Sequence, residues 1–455
     1  MPISPARTTA FDILLRVERE QAYASELLHS FQYNKVSPAD HRLATEIVMG
    51  VLRWQSSLDS ELARFSSQKI EKLDVEVLIA LRMAALQLMQ LDRVPAHAAV
   101  HESVELVKRA RKRSAAPFVN ALLRKVTNDS RWIEAMRERV ASLAGEPAPQ
   151  ASLPVEALAD RYAHPPWLVK RWQHAYGWEN LRRILGADQE IPIAAIHLPT
   201  PADEAALEKD GIVLLNGGLL RQAARVESGD LTRTEAFRSG QVVIQDEGSQ
   251  LVALLVGRGQ RILDCCAAPG GKTRLLAERN PESTITSVEL HPHRARLLRR
   301  LVPSKNVAVV TADARALPVD QEFDRILADV PCSGTGTLSR NPEIKWRLKP
   351  NDLLDLQTRQ IAILQSALTK LVPGGMLVYS TCSLEREENE DVITAVLAQA
   401  PEFRVVDCRL RLEELHSAGE LVWPDVDSLL AGPYLRTLPG VHPCDGFFAA
   451  ILSKS

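Results

Sequence analysis

From Thr8 to about Val140, apolar residues recur every three or four positions, the period of one face of an α-helix. Leu78, Leu81, Ala85 and Leu88 share such a face within a stretch rich in Leu, Met, Ala and Glu. Pro95 interrupts the pattern, which resumes through Val104 and Val107. The spacing predicts an all-α unit over residues 1–143. Ala144–Leu153, with Gly145, Pro147 and Pro149, reads as a linker. Over residues 154–240 the period is mixed. Arg161-Tyr-Ala-His-Pro-Pro-Trp167 opens a helix expected to reach about Tyr176, and Ile191–Leu198 and Ile212–Leu215 read as short strands before an Asn216-Gly217-Gly218 turn. This predicts a small α+β subdomain.

Over residues 241–455 strand-like and helix-like runs alternate. Arg261–Cys265, Thr284–Glu289, Val307–Thr311, Arg325–Asp329 and Gly375–Ser380 are short and β-branched or aliphatic, and Lys272–Arg279, His293–Leu301 and Asp352–Leu371 lie between them as helices. The alternation predicts a doubly wound α/β domain with a largely parallel, Rossmann-like sheet. Gly446–Leu452 suits a late edge or antiparallel strand.

In such a sheet, ligands sit beyond the carboxyl ends of the strands. The first strand runs into Asp264-Cys-Cys-Ala-Ala-Pro-Gly-Gly-Lys-Thr273. Gly270 and Gly271 permit a tight turn, and the helix N-terminus after them favours an anionic group such as a carboxylate. A nucleotide triphosphatase loop is excluded, because its spacing requires glycine where this chain has Cys266. Acids end the next three strands: Glu289, then Asp313 just past Thr311, then Asp329. One acid at a strand end is most simply a solvated side chain. Three in succession after a glycine turn form the pattern of an adenosyl-cofactor site, with Glu289 suited to ribose hydroxyls.

Two of the six cysteines lie at the same rim, in Asp329-Val-Pro-Cys-Ser-Gly-Thr-Gly336 and in Tyr379-Ser-Thr-Cys-Ser383. A buried cysteine is usually an inert small hydrophobe. A pair beside a cofactor crevice suits covalent catalysis, in which a thiolate adds to C6 of a cytosine and makes C5 nucleophilic enough to accept a methyl group. No Cys-x-x-Cys spacing occurs, and a zinc site from Cys265, Cys266, Cys332 and Cys382 is disfavoured because adjacent strand residues face opposite ways. No metal is expected.

Composition restricts the setting more than the chemistry. The chain has 455 residues, 45% hydrophobic and 25% charged, and a net charge of −2. No apolar run approaches the roughly 20 residues needed to cross a bilayer. Arg7, Asp12, Arg16 and Glu18 break up any apolar core of a leader peptide. A cytoplasmic protein without membrane contact is expected. Lys108, Arg109, Arg111, Lys112, Arg113, Arg124 and Lys125 form a cationic stripe that could neutralise phosphates, or could simply complement helix C-termini.

These motifs together resemble the RNA 5-methylcytosine methyltransferase family of the RsmB (Fmu or Sun) type. The pieces that carry the resemblance are Gln245-Asp-Glu-Gly-Ser-Gln250, Ala267-Ala-Pro-Gly-Gly-Lys272, Asp329-Val-Pro-Cys332, Asn341-Pro-Glu-Ile-Lys-Trp346, Thr381-Cys382 with Glu387-Glu-Asn389, and Asp445-Gly-Phe-Phe448. The first domain is similar to the RNA-binding protein NusB through Arg7-Thr-Thr-Ala-Phe-Asp12, Ala44-Thr-Glu-Ile-Val-Met-Gly50 and Asn120-Ala-Leu-Leu-Arg124.

The resemblance implies a Rossmann-like S-adenosylmethionine methyltransferase domain, preceded by the α+β subdomain and an all-α NusB-like domain. It implies Cys382 as nucleophile and Cys332 as an aid to product release; spacing alone does not decide which one attacks. It places S-adenosylmethionine against Cys266, Ala267, Ala268, Pro269, Gly270, Gly271, Lys272, Glu289, Asp313 and Asp329. The fused NusB-like domain points to 16S rRNA, unassembled or partly assembled, as the partner of a monomeric enzyme. The same catalytic part acting on tRNA or another rRNA site, or a non-catalytic RNA-binding assembly factor, are the alternatives. Asp264-Cys-Cys266 and Glu289 depart from the family's usual Asp-Ala-Cys and Asp, and Cys444 is also unusual.

Overall fold

A computed structural model describes every residue except 1–2, 31–32, 34–35, 92–93, 130–133, 135–136, 139–152 and 455. The linker expected at Ala144–Leu153 therefore lies outside the described residues, apart from Leu153. The chain divides into two units, Met1–Ile191 with Leu338–Arg347, and Pro192–Thr337 with Leu348–Ser455. The helices Val155–Arg161 and Pro166–Ala187, grouped by pattern with the α+β part, thus lie in the first unit.

The first unit is helical because its sequence supplies caps as well as apolar faces. Ser4 and Ser37 accept the Arg7 and Asp40 amides at the starts of Pro5–Glu20 and Pro38–Arg53, each with proline in the first turn. The helix Val75–Gln90 is buried on all sides from Ile79 to Met89, so the single face read from Leu78, Leu81, Ala85 and Leu88 understates its role as the central rod. Its buried Arg82 and Gln87 are paired. Arg82 makes a two-pronged contact with Asp59 (2.7 and 2.6 Å), and Gln87 accepts from Arg7 Nε at 2.6 Å. The Pro166–Ala187 helix leaves helical geometry at Gly177 (φ 73°), one residue past its expected end, and then resumes. Part of the cationic stripe is neutralised locally: Lys108 pairs with Glu105, Arg109 with Asp12 and Lys112 with Asp74.

Residues 338–347, which carry the Asn341–Trp346 piece of the catalytic signature, fold into this helical unit. The final carbonyls of a helix have no partner within it and attract cations and N–H donors. This segment supplies both. Trp346 Nε1 donates to Leu52 O (2.6 Å) and Lys345 Nζ to Arg53 O (3.0 Å), at the end of Pro38–Arg53. Arg347 donates to Val17 O (2.9 Å) and Gln21 O (2.8 Å), at the end of Pro5–Glu20. Glu343 receives the Ala24 amide at 2.8 Å.

Lys345 is fully buried, and burial, aided by Arg53 and opposed by Asp188, lowers its pKa to about 7. Between about pH 7 and the ordinary lysine value, the unfolded chain binds a proton that the folded chain does not. Stability of the first unit should therefore rise with pH across that window, by a few kcal/mol at most, and be flat in this group below it. Denaturant melts of wild type and Lys345→Met at pH 7 and pH 9.5 check this: the variant should lose most of the slope.

The second unit opens with a four-stranded antiparallel sheet in the order β2-β3-β1-β4, from β1 (Ala195–His197), β2 (Val213–Asn216), β3 (Ala223–Ser228) and β4 (Val243–Ile244). The first strand is shorter than expected. Ile191 and Ile193 are exposed outside it, β3 carries no strong strand signature, and β4 is only two residues long. The Gln245–Gln250 motif fastens this small sheet to the rest of the unit. Glu247, buried, accepts the Gly218, Leu219 and Leu220 amides at 3.0, 2.7 and 2.9 Å, and Asp246 accepts the Asp445 amide at 3.1 Å.

The large sheet has the expected alternation. Its parallel strands are β5 (Arg261–Asp264), β6 (Thr284–Glu289), β7 (Val307–Thr311), β8 (Phe323–Asp329) and β9 (Leu371–Thr381). They are joined by β10 (Phe403–Val406), β11 (Leu430–Ala431), β12 (Tyr434–Arg436) and β13 (Phe448–Lys454). The order is β11-β12-β13-β9-β8-β5-β6-β7, with β10 also on β13. The chain winds outward in opposite directions from β5 and β8, so the crevice lies at their carboxyl ends. β13 runs antiparallel to β9, as expected, but it is interior rather than an edge because β12 and β10 flank its other side.

Candidate active site

The strand register aligns the acids predicted for the crevice. Asp264 pairs beside Ser287 and Leu327, Glu289 beside Thr311, and Asp329 beside Ser380. The glycine loop is held from both sides, by the Cys265 amide on Leu327 O and the Ala267 amide on Val288 O, each at 2.9 Å. Gly270 caps the helix Gly271–Arg279 with φ 121°, and a Cβ there would lie 2.7 Å from Leu298 and Val302.

Three charged groups meet at this end. Lys272 Nζ pairs with Asp329 Oδ2 at 2.7 Å, while Ser380 Oγ donates to Asp329 Oδ1 at 2.7 Å. Burial alone would lower the Lys272 pKa, but the Asp329 charge and its hydrogen bond outweigh it and hold the ammonium above its usual value. Lys272 therefore stays cationic. Asp264, buried and bonded by Thr273 Oγ1 at 2.7 Å, has its pKa raised by burial to about 6. Ser380, which sequence reasoning did not single out, sits on β9 one strand across from Asp329.

The remaining cofactor candidates differ in availability. Glu289 is buried at the end of β6, with one oxygen accepting the His291 amide at 2.9 Å. Asp313 is engaged by its neighbour: Arg315 gives it a backbone amide at 2.9 Å and a guanidinium at 2.6–3.0 Å, and these hold its carboxyl below its usual range. The Cys265 and Cys266 thiols are pushed well up by burial, so neither is a ready thiolate. Among the described residues no cluster of His, Cys, Asp and Glu is arranged to hold a metal.

The two rim cysteines come together. Cys332 and Cys382 are partly exposed, with their sulfurs 3.5 Å apart. The Cys332 pKa is raised well above the ordinary range, first by its hydrogen bond with Cys382 and then by burial. Each cysteine loop is anchored by its neighbours. The Gly336 amide donates to Cys382 O at 2.9 Å, and Thr381 Oγ1 donates to Asn389 Oδ1 at 2.5 Å.

The model of the family described as 16S rRNA methyltransferase RsmB/F matches residues 251–453, and that of the NusB family matches residues 4–128. The Bacillus subtilis protein named "Probable ribosomal RNA small subunit methyltransferase B" is 34% identical over 100% of both chains. This chain belongs to the ribosomal RNA small subunit methyltransferase B family. The Vibrio cholerae protein of that name is 32% identical over 92% of this chain and 91% of its own. Among solved structures, PH0851 covers 100% of this chain and 99% of its own with a TM-score of 0.77 at 23% identity, a likeness of fold. A methyltransferase homolog protein from Pyrococcus horikoshii is 26% identical over 67% of this chain and 100% of its own, with a TM-score of 0.54. Family membership makes this an RNA methyltransferase with an RNA-binding NusB-type domain at its start. No helix among the described residues is long and apolar enough to cross a membrane.

Proposed function

We propose that this protein methylates C5 of a cytosine in 16S rRNA through a transient bond between Cys382 and C6 of the base. The observation that carries the reading is the pair of sulfurs 3.5 Å apart, in a crevice that also holds the Lys272–Asp329 ion pair. S-adenosylmethionine, when bound, supplies an electrophilic methyl group. The residues present suit it: a glycine turn whose positive φ brings a helix N-terminus forward for a carboxylate, and the buried Glu289 for a ribose diol. Cys266, Ala267, Ala268, Pro269, Gly270, Gly271 and Lys272 would line that turn, with Asp313 and Asp329 beyond it.

The division of labour between the thiols follows the resemblance: Cys382 attacks, and Cys332, whose sulfur is 3.5 Å away, assists product release. The Lys272 ammonium, paired with Asp329, stands in the same crevice. The Cys382 sulfur bonds to C6, which makes C5 enamine-like. After methylation, loss of the C5 proton breaks the C6–S bond, returns the electron pair to sulfur and restores the ring.

Incubation with labelled donor and protein-free 16S rRNA, tRNA or assembled small subunits, then nucleoside mass spectrometry, tests the reading. 5-Methylcytidine should appear in 16S rRNA. Methylation of another atom, or of tRNA alone, would overturn it. Because C6 is hidden in a stacked duplex, free rRNA should turn over at least about tenfold faster than mature subunits, the cost of freeing the base being a few kcal/mol. Equal rates would count against an unpaired target.

A further inference from the structure

Glu388 lies in the short turn Arg386–Glu388 after β9 and is fully buried. One carboxylate oxygen accepts the Ser333 amide at 2.8 Å and Gln360 Nε2 at 2.9 Å. The other accepts Ser383 Oγ at 2.5 Å and also Ser333 Oγ. Ser333 and Ser383 come directly after Cys332 and Cys382, and their hydroxyls are 3.1 Å apart. The surrounding contacts tighten the same point. Gln360 also donates to Pro331 O (3.0 Å), Asn389 Nδ2 to Ser383 O (2.9 Å), and Tyr379 Oη to Glu388 O (2.6 Å). One buried carboxylate thus joins the two loops that carry the thiols, and the donors described for it are all neutral. Burying a charge against neutral donors is costly, and four hydrogen bonds converging on one buried carboxylate restrict the two loops to one geometry.

We propose that Glu388 is a positioning residue that sets the separation of Cys332 and Cys382 by tying both loops to a single carboxylate. The proposal rests on the two-cysteine mechanism only for its effect on catalysis; its effect on the sulfurs stands apart. Position and charge are separable here. In Glu388→Gln the amide oxygen can keep the Ser333 and Gln360 N–H donors, while its NH2 faces two hydroxyls that can rotate to accept. Glu388→Ala removes the tie altogether.

The first measurement needs neither RNA nor methyl donor. Diamide takes up two electrons and two protons as the Cys332–Cys382 bond forms, and peptide mass spectrometry tracks the disulfide. Disulfide formation depends steeply on sulfur placement, so Glu388→Ala should slow it at least about tenfold. The second measurement is steady-state methyl transfer. Misplacement of a reacting group by about 1 Å costs on the order of a hundredfold, so Glu388→Ala should lose about that in kcat with KM for RNA and donor changed less than about threefold. Glu388→Gln should stay within about fivefold of wild type in both measurements.

Should Glu388→Ala not fold, as judged by its melt, the same measurements on Ser383→Ala decide. That variant should slow disulfide formation and lower kcat about tenfold, and wild-type values would overturn the proposal. Disulfide formation in Glu388→Ala within twofold of wild type would overturn it. So would a Glu388→Gln variant as inactive as Glu388→Ala but with normal disulfide formation, because the charge and not the tie would then matter. A wild type that forms the disulfide but makes no 5-methylcytidine would defeat the functional reading and leave the positioning result intact.

Discussion

Replacing Cys382 by alanine is expected to abolish methyl transfer, with kcat/KM falling about a thousandfold or more, equivalent to some 4 kcal/mol of lost transition-state stabilisation. The loss would be chemical rather than structural. Cys382 is partly exposed, and its loop is held by the Gly336 amide on its carbonyl and by Thr381 and Ser383, whose side chains reach Asn389 and Glu388. Removing one sulfur leaves these contacts in place, so the melting curve and cofactor affinity should barely change. No RNA–protein adduct should form. Residual activity above about one-tenth of wild type would remove Cys382 from the role of nucleophile.

Cys332→Ala should give the opposite signature: a covalent RNA–protein complex that survives denaturing electrophoresis, with turnover reduced about a hundredfold or more. The first bond needs only the Cys382 sulfur, which is retained. Departure of the base needs a group to handle the C5 proton beside the leaving sulfur, and the Cys332 thiol is 3.5 Å from it. The doubly substituted protein should show no complex, which ties the adduct to Cys382. If Cys382→Ala trapped RNA and Cys332→Ala did not, the two roles would be exchanged.

That the two cysteines and the acids share one rim was legible in the sequence, because they follow successive strands of one sheet. Glu289, Asp313, Asp329, Cys332 and Cys382 lie at or just past strand ends, and each strand shows as a short apolar run closed by a polar residue. The helical unit was legible through the three-to-four-residue apolar period that begins at Thr8, while its caps at Ser4 and Ser37 emerged only from the structure. Two features were not. Glu388 was visible only as part of Glu387-Glu-Asn389, because the donors that give it a role come from residues 333, 360 and 383, far apart in the chain. Residues 338–347 bond mainly to backbone carbonyls of the first unit, and an acceptor carbonyl looks the same whatever residue carries it. β3 was missed because Ala-Ala-Arg-Val-Glu-Ser holds its place by its neighbours rather than by propensity, and β4 because its Val-Ile run is only two residues long.

The excursion of residues 338–347 has a bearing on how such a fused protein arose. A free-standing ancestor of the first unit would have had to close the ends of its Pro5–Glu20 and Pro38–Arg53 helices with its own residues or with water. Here Trp346, Lys345 and Arg347, borrowed from more than two hundred positions downstream, do that work. A polypeptide ending at Ile191 would keep the Pro5–Glu20 and Pro38–Arg53 helices yet lack their stoppers. The chain passes between the two parts three times, after residues 191, 337 and 347, so no single cut returns either of them whole.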